Sequence, residues 1–123
     1  MLISEAKILV GDDSILARKQ LIDILKEFGG TNFIEAANGQ DAIDKYDQEH
    51  PDIVFLDIVM PVKDGIAATA EIMNINKSAI VIIVSSIGTK DQLKSAIEAG
   101  AKDFIQKPFS IDQIKQIVDA RFS

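Results

Sequence analysis

Five short apolar segments alternate with five amphipathic segments along this chain of 123 residues. The apolar segments have the length of buried strands, and the amphipathic segments repeat their apolar residues at helical spacing. Such alternation predicts βαβ units, in which each crossover places a helix against a parallel sheet. We therefore predict one α/β domain over residues 1–123, with a five-stranded sheet and helices on both faces. The predicted strands are residues 7–11, 33–37, 53–56, 79–85 and 103–106, and the predicted helices are residues 15–28, 40–49, 66–75, 90–99 and 111–121.

The first predicted helix carries an apolar stripe, which we expect to face the core. Gly29-Gly30 is the predicted end of this helix, and Gly100 plays the same role after the fourth. Ser110 is the predicted N-cap of the last helix. The stripe of the first helix consists of Ile15, Leu16, Leu21, Ile22, Leu25 and Phe28.

Composition excludes several classes of protein. The chain has no cysteine, so it has neither a disulfide framework nor a thiolate zinc site. It does not open with a basic segment followed by an apolar one, and its longest apolar run, residues 79–84, is too short for membrane insertion. A formal net charge of −6 argues against direct nucleic acid binding. We predict a soluble cytoplasmic protein whose acidity serves a cation site or a protein partner.

Three carboxylates follow two of the predicted strands. Asp57 ends the third strand shortly before Pro61, and Asp12-Asp13 follows the first strand. Taken alone, an aspartate after a strand is also a common turn residue. In open α/β sheets, however, ligands bind at the carboxyl ends of the strands. If strands 1 and 3 flank the point where strand order reverses, the three carboxylates share one crevice.

Such a crevice needs positive charge, because neighbouring carboxylates repel one another. Oxygen ligands at a partly open site suit Mg²⁺, which leaves coordination positions for phosphate oxygens. The ends of strands 4 and 5 supply a hydroxyl from Ser85 and an ammonium from Lys107. One divalent ion would neutralise the two negative charges that three carboxylates and one lysine leave. The Lys107-Pro108 dipeptide predicts a fixed turn, and the peptide bond in that turn can be cis.

In order and spacing, these residues resemble the receiver domains of bacterial two-component response regulators, especially the stand-alone chemotaxis regulators. The resemblance covers nearly the whole chain. It implies the flavodoxin-like strand order 2-1-3-4-5, which is also a general example of doubly wound folds. It is carried by Asp12-Asp13, Asp57 with Met60-Pro61 and Asp64-Gly65, Ser85, and residues 99–104 leading to Lys107-Pro108-Phe109.

The resemblance also implies a reaction. Asp57 is expected to accept a phosphoryl group from a phosphohistidine on a sensor histidine kinase. Asp13, Asp57 and the backbone carbonyl of Val59 are expected to hold Mg²⁺, with Asp12 acting mainly through water. Lys107 and the ion offset charge on the phosphoryl oxygens. The chain would then be a signalling switch that catalyses only its own phosphorylation and slow dephosphorylation.

The same resemblance implies a conformational response. Ser85 would move to bind the phosphoryl group, and Phe104 would turn inward behind it. This would alter the surface of helix 4, strand 5 and helix 5, where a downstream target docks. That target could be a flagellar motor switch in chemotaxis. From its position alone, Phe104 is equally a core residue or a switch residue.

Three other functions have sequence requirements that can be compared with this chain. An aspartate-nucleophile phosphatase needs an acid or base two residues after its nucleophile, where this chain has Val59. A flavin-binding module needs a glycine-rich and hydroxyl-rich loop after strand 1, where this chain has Asp12-Asp13-Ser14-Ile15. Within the resembled family, the alternative is a receiver from a longer DNA-binding regulator.

Val59 and Ile87 stand two residues beyond Asp57 and Ser85, and both are branched and apolar. In receiver domains these positions flank the path of the water that attacks the aspartyl phosphate. Apolar side chains shield the phosphorus and cannot orient that water. The sequence therefore predicts slow self-dephosphorylation and a separate phosphatase, unless the two side chains merely pack on each other and the rate is set elsewhere.

Overall fold

The fold is described from a computed structural model that covers residues 1–123. A single 3₁₀ turn, Ile3–Glu5, precedes the first strand. Strands and helices then alternate to the end of the chain. The strands are β1 Lys7–Gly11, β2 Asn32–Ala36, β3 Ile53–Leu56, β4 Val81–Ser85 and β5 Asp103–Gln106, and the helices are α1 Ile15–Glu27, α2 Gly39–Glu49, α3 Gly65–Ile75, α4 Lys90–Ala99 and α5 Ile111–Arg121.

The five strands form one parallel sheet in the order β2-β1-β3-β4-β5. This confirms the predicted fold class and strand order. The order reverses between β1 and β3, which pair directly, with Gly11 opposite Leu56. Loops after these two strands run to opposite sides and leave a crevice between them.

Burial follows the position of each strand in the sheet. Every residue of β3 and β4 is buried, while the edge strands β2 and β5 are partly exposed. The three central strands are β-branched and apolar on both faces, as expected when helices cover both sides. One core cluster includes residues of α2, α3 and α4, and the other includes residues of α1 and α5.

The helix boundaries agree with the capping residues. Side chains of Ser14, Asn38, Asp64, Thr89 and Ser110 each accept a hydrogen bond from the helix that follows. Gly29 and Gly100, which were predicted to stop α1 and α4, have φ of 106° and 116°. The fourth strand begins at Val81, two residues later than predicted.

The apolar stripe predicted for α1 is wrong in its first turn. Ile15 and Leu16 are 73% and 65% exposed, whereas Leu21, Ile22 and Leu25 are buried. The reason is where the helix begins relative to the edge of the sheet. Since β1 ends at Gly11, the first turn of α1 follows the acidic loop beyond the edge of the sheet, where no strand or helix covers it.

None of the helices combines the length and the apolar composition that a crossing of a bilayer would require.

Candidate functional site

The carboxylates of Asp12, Asp13 and Asp57 lie together at the carboxyl ends of β1 and β3. One oxygen of each lies within 4.8 Å of the others. Pairing of β1 with β3 brings the loops that follow the two strands side by side, and the backbone N–H of Asp57 donates to the Gly11 carbonyl at 2.9 Å. Residues far apart in sequence therefore form one acidic cluster.

Asp12 is the most firmly held member of this cluster. It is buried, and its backbone N–H donates to the carbonyl of Ala36 on β2. Its Oδ1 accepts from the Ser14 N–H at 2.9 Å, and its Oδ2 accepts from Lys107 Nζ at 2.6 Å. Asp13, in contrast, is exposed, and its carboxylate makes no hydrogen bond or ion pair.

Asp57 is half-buried, and its carboxylate is held less completely. Oδ1 accepts from the N–H of Ile58 at 2.8 Å, and Lys107 Nζ lies 3.7 Å from Oδ2. Burial raises the pKa of the Asp57 carboxyl, and the nearby Asp12 charge raises it further. Lys107, the Ile58 N–H and the Ser85 hydroxyl act in the opposite direction without cancelling the rise.

Lys107 and Ser85 close the crevice on the side of β4 and β5. The Lys107-Pro108 peptide is cis, and the N–H of Lys107 donates to the Ser85 carbonyl at 2.8 Å. Ser85 is fully buried, and its Oγ accepts from the N–H of Ile87 at 3.2 Å. The ammonium of Lys107 thus lies between the carboxylates of Asp12 and Asp57, and the Ser85 hydroxyl lies at the carboxyl end of β4.

The loop between β3 and α3 is tightly closed over the backbone of Asp57. The N–H of Gly65 donates to the Ile58 carbonyl at 2.8 Å, and a β-carbon at residue 65 would overlap the carbonyl oxygen of Asp57. Val62, at the tip, has φ of 68°, a conformation that is strained for a β-branched residue. Val59 is 57% exposed, and its carbonyl accepts no backbone hydrogen bond.

Phe104 and Ile87, the two remaining predicted residues, are half-buried. Phe104 lies opposite Ile83 in the sheet and packs against the core cluster on the α2, α3 and α4 side. This position allows a core role and leaves part of the ring exposed. The structure therefore brings the acidic residues, Lys107 and Ser85 together, whereas Phe104 lies on β5 beside the core.

One residue at the site has no signature in the sequence. Arg18 on α1 donates from Nη1 to the carbonyl of Asp12 at 2.5 Å. An arginine near the start of an amphipathic helix is usually a solvated residue, and only the folded backbone of the acidic loop brings this carbonyl within its reach. The buried Thr69, in contrast, makes only the local bond of a helical threonine, from Oγ1 to the Gly65 carbonyl one turn earlier at 2.7 Å.

The arrangement suits a hard divalent cation. All three side chains offer oxygen, which Mg²⁺ prefers, and their spacing lets one ion contact more than one carboxylate. The exposed Asp13 faces solvent, so an ion there would keep positions open. A carboxylate beside a lysine and a divalent cation can also act as a nucleophile toward a phosphoryl group.

Comparison with known proteins agrees with this geometry. Residues 8–119 match the response regulator receiver domain. The chain is 42% identical to the chemotaxis protein CheY of Bacillus subtilis over 113 residues, covering 92% of this chain and 94% of the relative. It is 43% identical to CheY of Thermotoga maritima over 114 residues, covering 93% and 92%.

A similar solved structure is the CheX-CheY-BeF3-Mg²⁺ complex from Borrelia burgdorferi. A chain of that complex superimposes with a TM-score of 0.90 at 38% identity, covering 96% of this chain and 90% of its own length. Sequence and backbone comparisons therefore point to one family. The chain belongs to the response regulator receiver domains of two-component systems, and its relatives include chemotaxis CheY proteins.

Proposed function

We propose that this chain is a phosphorylation-activated receiver that takes a phosphoryl group onto Asp57 from a phosphohistidine of a sensor histidine kinase. The observation that carries the proposal is the position of the Asp57 carboxylate. It lies at the carboxyl end of β3 within reach of Asp12, Asp13 and Lys107. A carboxylate that served only a turn would not need a lysine and two further carboxylates.

In the proposed reaction, an oxygen of Asp57 attacks phosphorus as the bond from phosphorus to the histidine nitrogen breaks. The nitrogen keeps the bonding electrons and takes a proton from solvent. Lys107 offsets negative charge on the phosphoryl oxygens, which is most of what such a transfer requires. Its ammonium is already 2.6 Å from Asp12 and 3.7 Å from Asp57.

Mg²⁺ is the cofactor that fits the cluster. Asp13, Asp57 and the carbonyl of Val59 would hold it, with Asp12 acting mainly through water. The Val59 carbonyl is free of backbone hydrogen bonds, and the Asp13 carboxylate has no partner, so both are available as ligands. The charge of the Mg²⁺ ion would offset the negative charge that accumulates when a phosphoryl group approaches three carboxylates.

We also propose that phosphorylation changes the output surface, defined as the exposed face of α4, β5 and α5. Movement of the Ser85 hydroxyl toward the phosphoryl group frees space beside β4, and Phe104 on the neighbouring strand turns inward. The output surface already exposes Leu93, Ile97 and Ile111, apolar residues that a protein target could cover.

Chemotaxis or flagellar motor control is the pathway that the CheY relatives favour. They are matched over nearly their whole length, which does not favour the alternative of a receiver from a DNA-binding regulator. The proposed partners are a sensor histidine kinase, a downstream target such as a flagellar motor switch, and a separate phosphatase. Together with the absence of a bilayer-spanning helix, this makes the cytoplasm the proposed location.

The direct test is to mix the protein with acetyl phosphate and Mg²⁺ and to measure intact mass. We expect a gain of one phosphoryl group that needs the metal. Asp57→Asn keeps the shape of the side chain and removes the nucleophile, so it should show no gain. A gain of the same size in Asp57→Asn would reject Asp57 as the acceptor.

The switch is tested by following backbone amide resonances during phosphorylation. In the wild type we expect shifts at Ser85, Phe104 and the output surface. Lys107→Ala should still gain some phosphoryl group but show much smaller shifts beyond the site, since the lysine couples the phosphoryl group to β5. Equal shifts in both proteins would remove Lys107 from the switch.

A further inference from the structure

Arg18 is a charged residue whose side chain is only 12% exposed, although it lies on the second turn of a surface helix. Charged side chains are rarely so covered unless they are paired. Arg18 has two partners. Its Nη1 donates to the backbone carbonyl of Asp12 at 2.5 Å, and its Nε donates to Glu35 Oε1 at 2.9 Å.

The two partners fix the guanidinium as well as pair it. Glu35 lies on β2 and is half-exposed, so its carboxylate can hold the planar fork in one orientation without itself being buried. Asp12 is already bonded through its N–H to Ala36, the next residue of the same strand. Arg18 thus completes a connection from β2 to the loop that carries the acidic pair.

The carbonyl of Asp12 belongs to the peptide group that joins Asp12 to Asp13. Because a peptide group is planar, a hydrogen bond to its oxygen also fixes the direction of the Asp13 N–H and the position of the Asp13 α-carbon. The Asp12 carboxylate has its own contacts with Ser14 and Lys107. Asp13 has none, so its direction depends on this peptide.

We propose that Arg18 is a positioning residue for the cation site, with Glu35 orienting it. By holding the peptide between Asp12 and Asp13, Arg18 aims the Asp13 carboxylate into the acidic cluster. This rests on the proposed function of the cluster as a Mg²⁺ site. Residues that orient metal ligands without touching the metal commonly change affinity by about 10- to 100-fold when they are replaced.

A purely electrostatic role predicts the opposite sign. A cation near three carboxylates repels a metal ion, so if charge were its only contribution, Arg18→Gln would tighten Mg²⁺ binding and Arg18→Lys would leave it unchanged. Positioning predicts that both variants bind Mg²⁺ more weakly, since neither glutamine nor lysine supplies the arginine fork. The direction of the change separates the two roles.

The experiment is a calorimetric titration of the metal-free proteins with Mg²⁺ alone. We expect the Kd to rise about tenfold for Arg18→Lys and Arg18→Gln, and less for Glu35→Gln. Lys19→Gln is the matched control, because Lys19 is the next residue, is exposed and pairs only with Asp23. Its Kd should equal that of the wild type. Hydrogen exchange of the Asp12 amide, which donates to the Ala36 carbonyl, should be faster in both Arg18 variants in the metal-free state.

An unchanged or lower Kd in both Arg18 variants would overturn the positioning role, even if both melted at lower temperature. Acetyl phosphate phosphorylation then separates this result from the proposed function. At saturating Mg²⁺ the Arg18 variants should still reach the wild-type plateau, with more metal needed for half of it. A wild type that took up no phosphoryl group would instead count against the proposed function.

Discussion

Strand β3 has an aspartate at each end, and the two carboxylates have different surroundings. At the amino end, the carboxylate of the exposed Asp52 accepts from the N–H of Lys7 at 2.8 Å, and the Asp52 N–H donates to the Lys7 carbonyl at 2.8 Å. At the carboxyl end, Asp57 is half-buried beside Asp12 and Asp13. The first carboxylate ties two strands together, while the second lies among like charges.

The difference between these aspartates comes from the direction of the chain. At the amino end of β3, the neighbouring strand offers a free N–H that satisfies a carboxylate at once. At the carboxyl end, loops from several parallel strands converge, and each adds its own side chains. The several charges of this site are therefore assembled from short loops at the carboxyl end of the sheet.

The largest effect should come from removing the ligand that has no other task. Asp13→Ala should weaken Mg²⁺ binding more than about tenfold, since a direct ligand matters at least as much as the residues that orient it. It should also raise the melting temperature of the metal-free protein, because it relieves repulsion among the carboxylates. Calorimetric titration and thermal melts in chelator measure the two halves.

Asp52→Ala is the control for Asp13→Ala, because it removes a carboxylate from the other end of the sheet. Its affinity for Mg²⁺ should equal that of the wild type. If Asp13→Ala bound Mg²⁺ as the wild type does, the Asp13 carboxylate at the carboxyl end of the sheet would not be a ligand of the ion.

The next effect concerns how long an aspartyl phosphate survives. Val59 is exposed and Ile87 half-buried, and neither can orient a water. The double variant Val59→Asn with Ile87→Glu should lose its phosphoryl group about tenfold faster, which corresponds to about 1.4 kcal/mol in the barrier. Decay of the phosphorylated protein in Mg²⁺ is followed by intact mass. Equal decay rates would mean that these side chains do not control the attack of water.

Asp52→Ala should itself cost about 1 kcal/mol of unfolding free energy, the usual worth of one hydrogen bond. Denaturant unfolding measures this cost. Phosphorylation by acetyl phosphate should stay at the wild-type level, because Asp52 takes no part in the crevice. A variant that unfolded normally but failed to be phosphorylated would show that the two ends of β3 are coupled.

The smallest effect is a pH dependence of stability. The pKa of Asp57 is raised in the folded state, so over the range between its unfolded and folded pKa values the native state binds more protons than the unfolded state. Wild-type stability therefore falls as pH rises through that range. Asp57→Asn cannot titrate, so it should gain stability over the wild type as pH rises and lose that gain in acid. Melts in chelator from acidic to neutral pH test this, and an equal pH dependence in the two proteins would contradict it.

The sequence predicted which side chains meet in the crevice because each lies at the carboxyl end of a strand or directly after it. Asp12, Asp13, Asp57, Ser85 and Lys107 could be assigned to the carboxyl edge from strand positions alone. Arg18 could not, because its partners are a backbone carbonyl and a side chain on β2, which no local pattern relates to it.

The exposure of Ile15 and Leu16 escaped prediction for a related reason. Helical spacing shows which side of α1 is apolar, but it does not show where along the helix the sheet stops. The strained φ of Val62 likewise depends on the closure of a whole loop. Properties that depend on the distance between helices, strands and loops could not be predicted from the sequence. Properties that depend on the order of residues along the chain could be.

The close contact between Gly65 and the backbone of Asp57 has a consequence for how this chain can vary. Gly39 has the same relation to the carbonyl of Lys63, where a β-carbon would also overlap. In a library of all single substitutions, these two positions should tolerate change about as poorly as the carboxylates, although neither has a side chain to lose. Evolution of the crevice is thus restricted by backbone spacing as well as by chemistry, and a redesign that replaced every charged group would still have to keep both glycines.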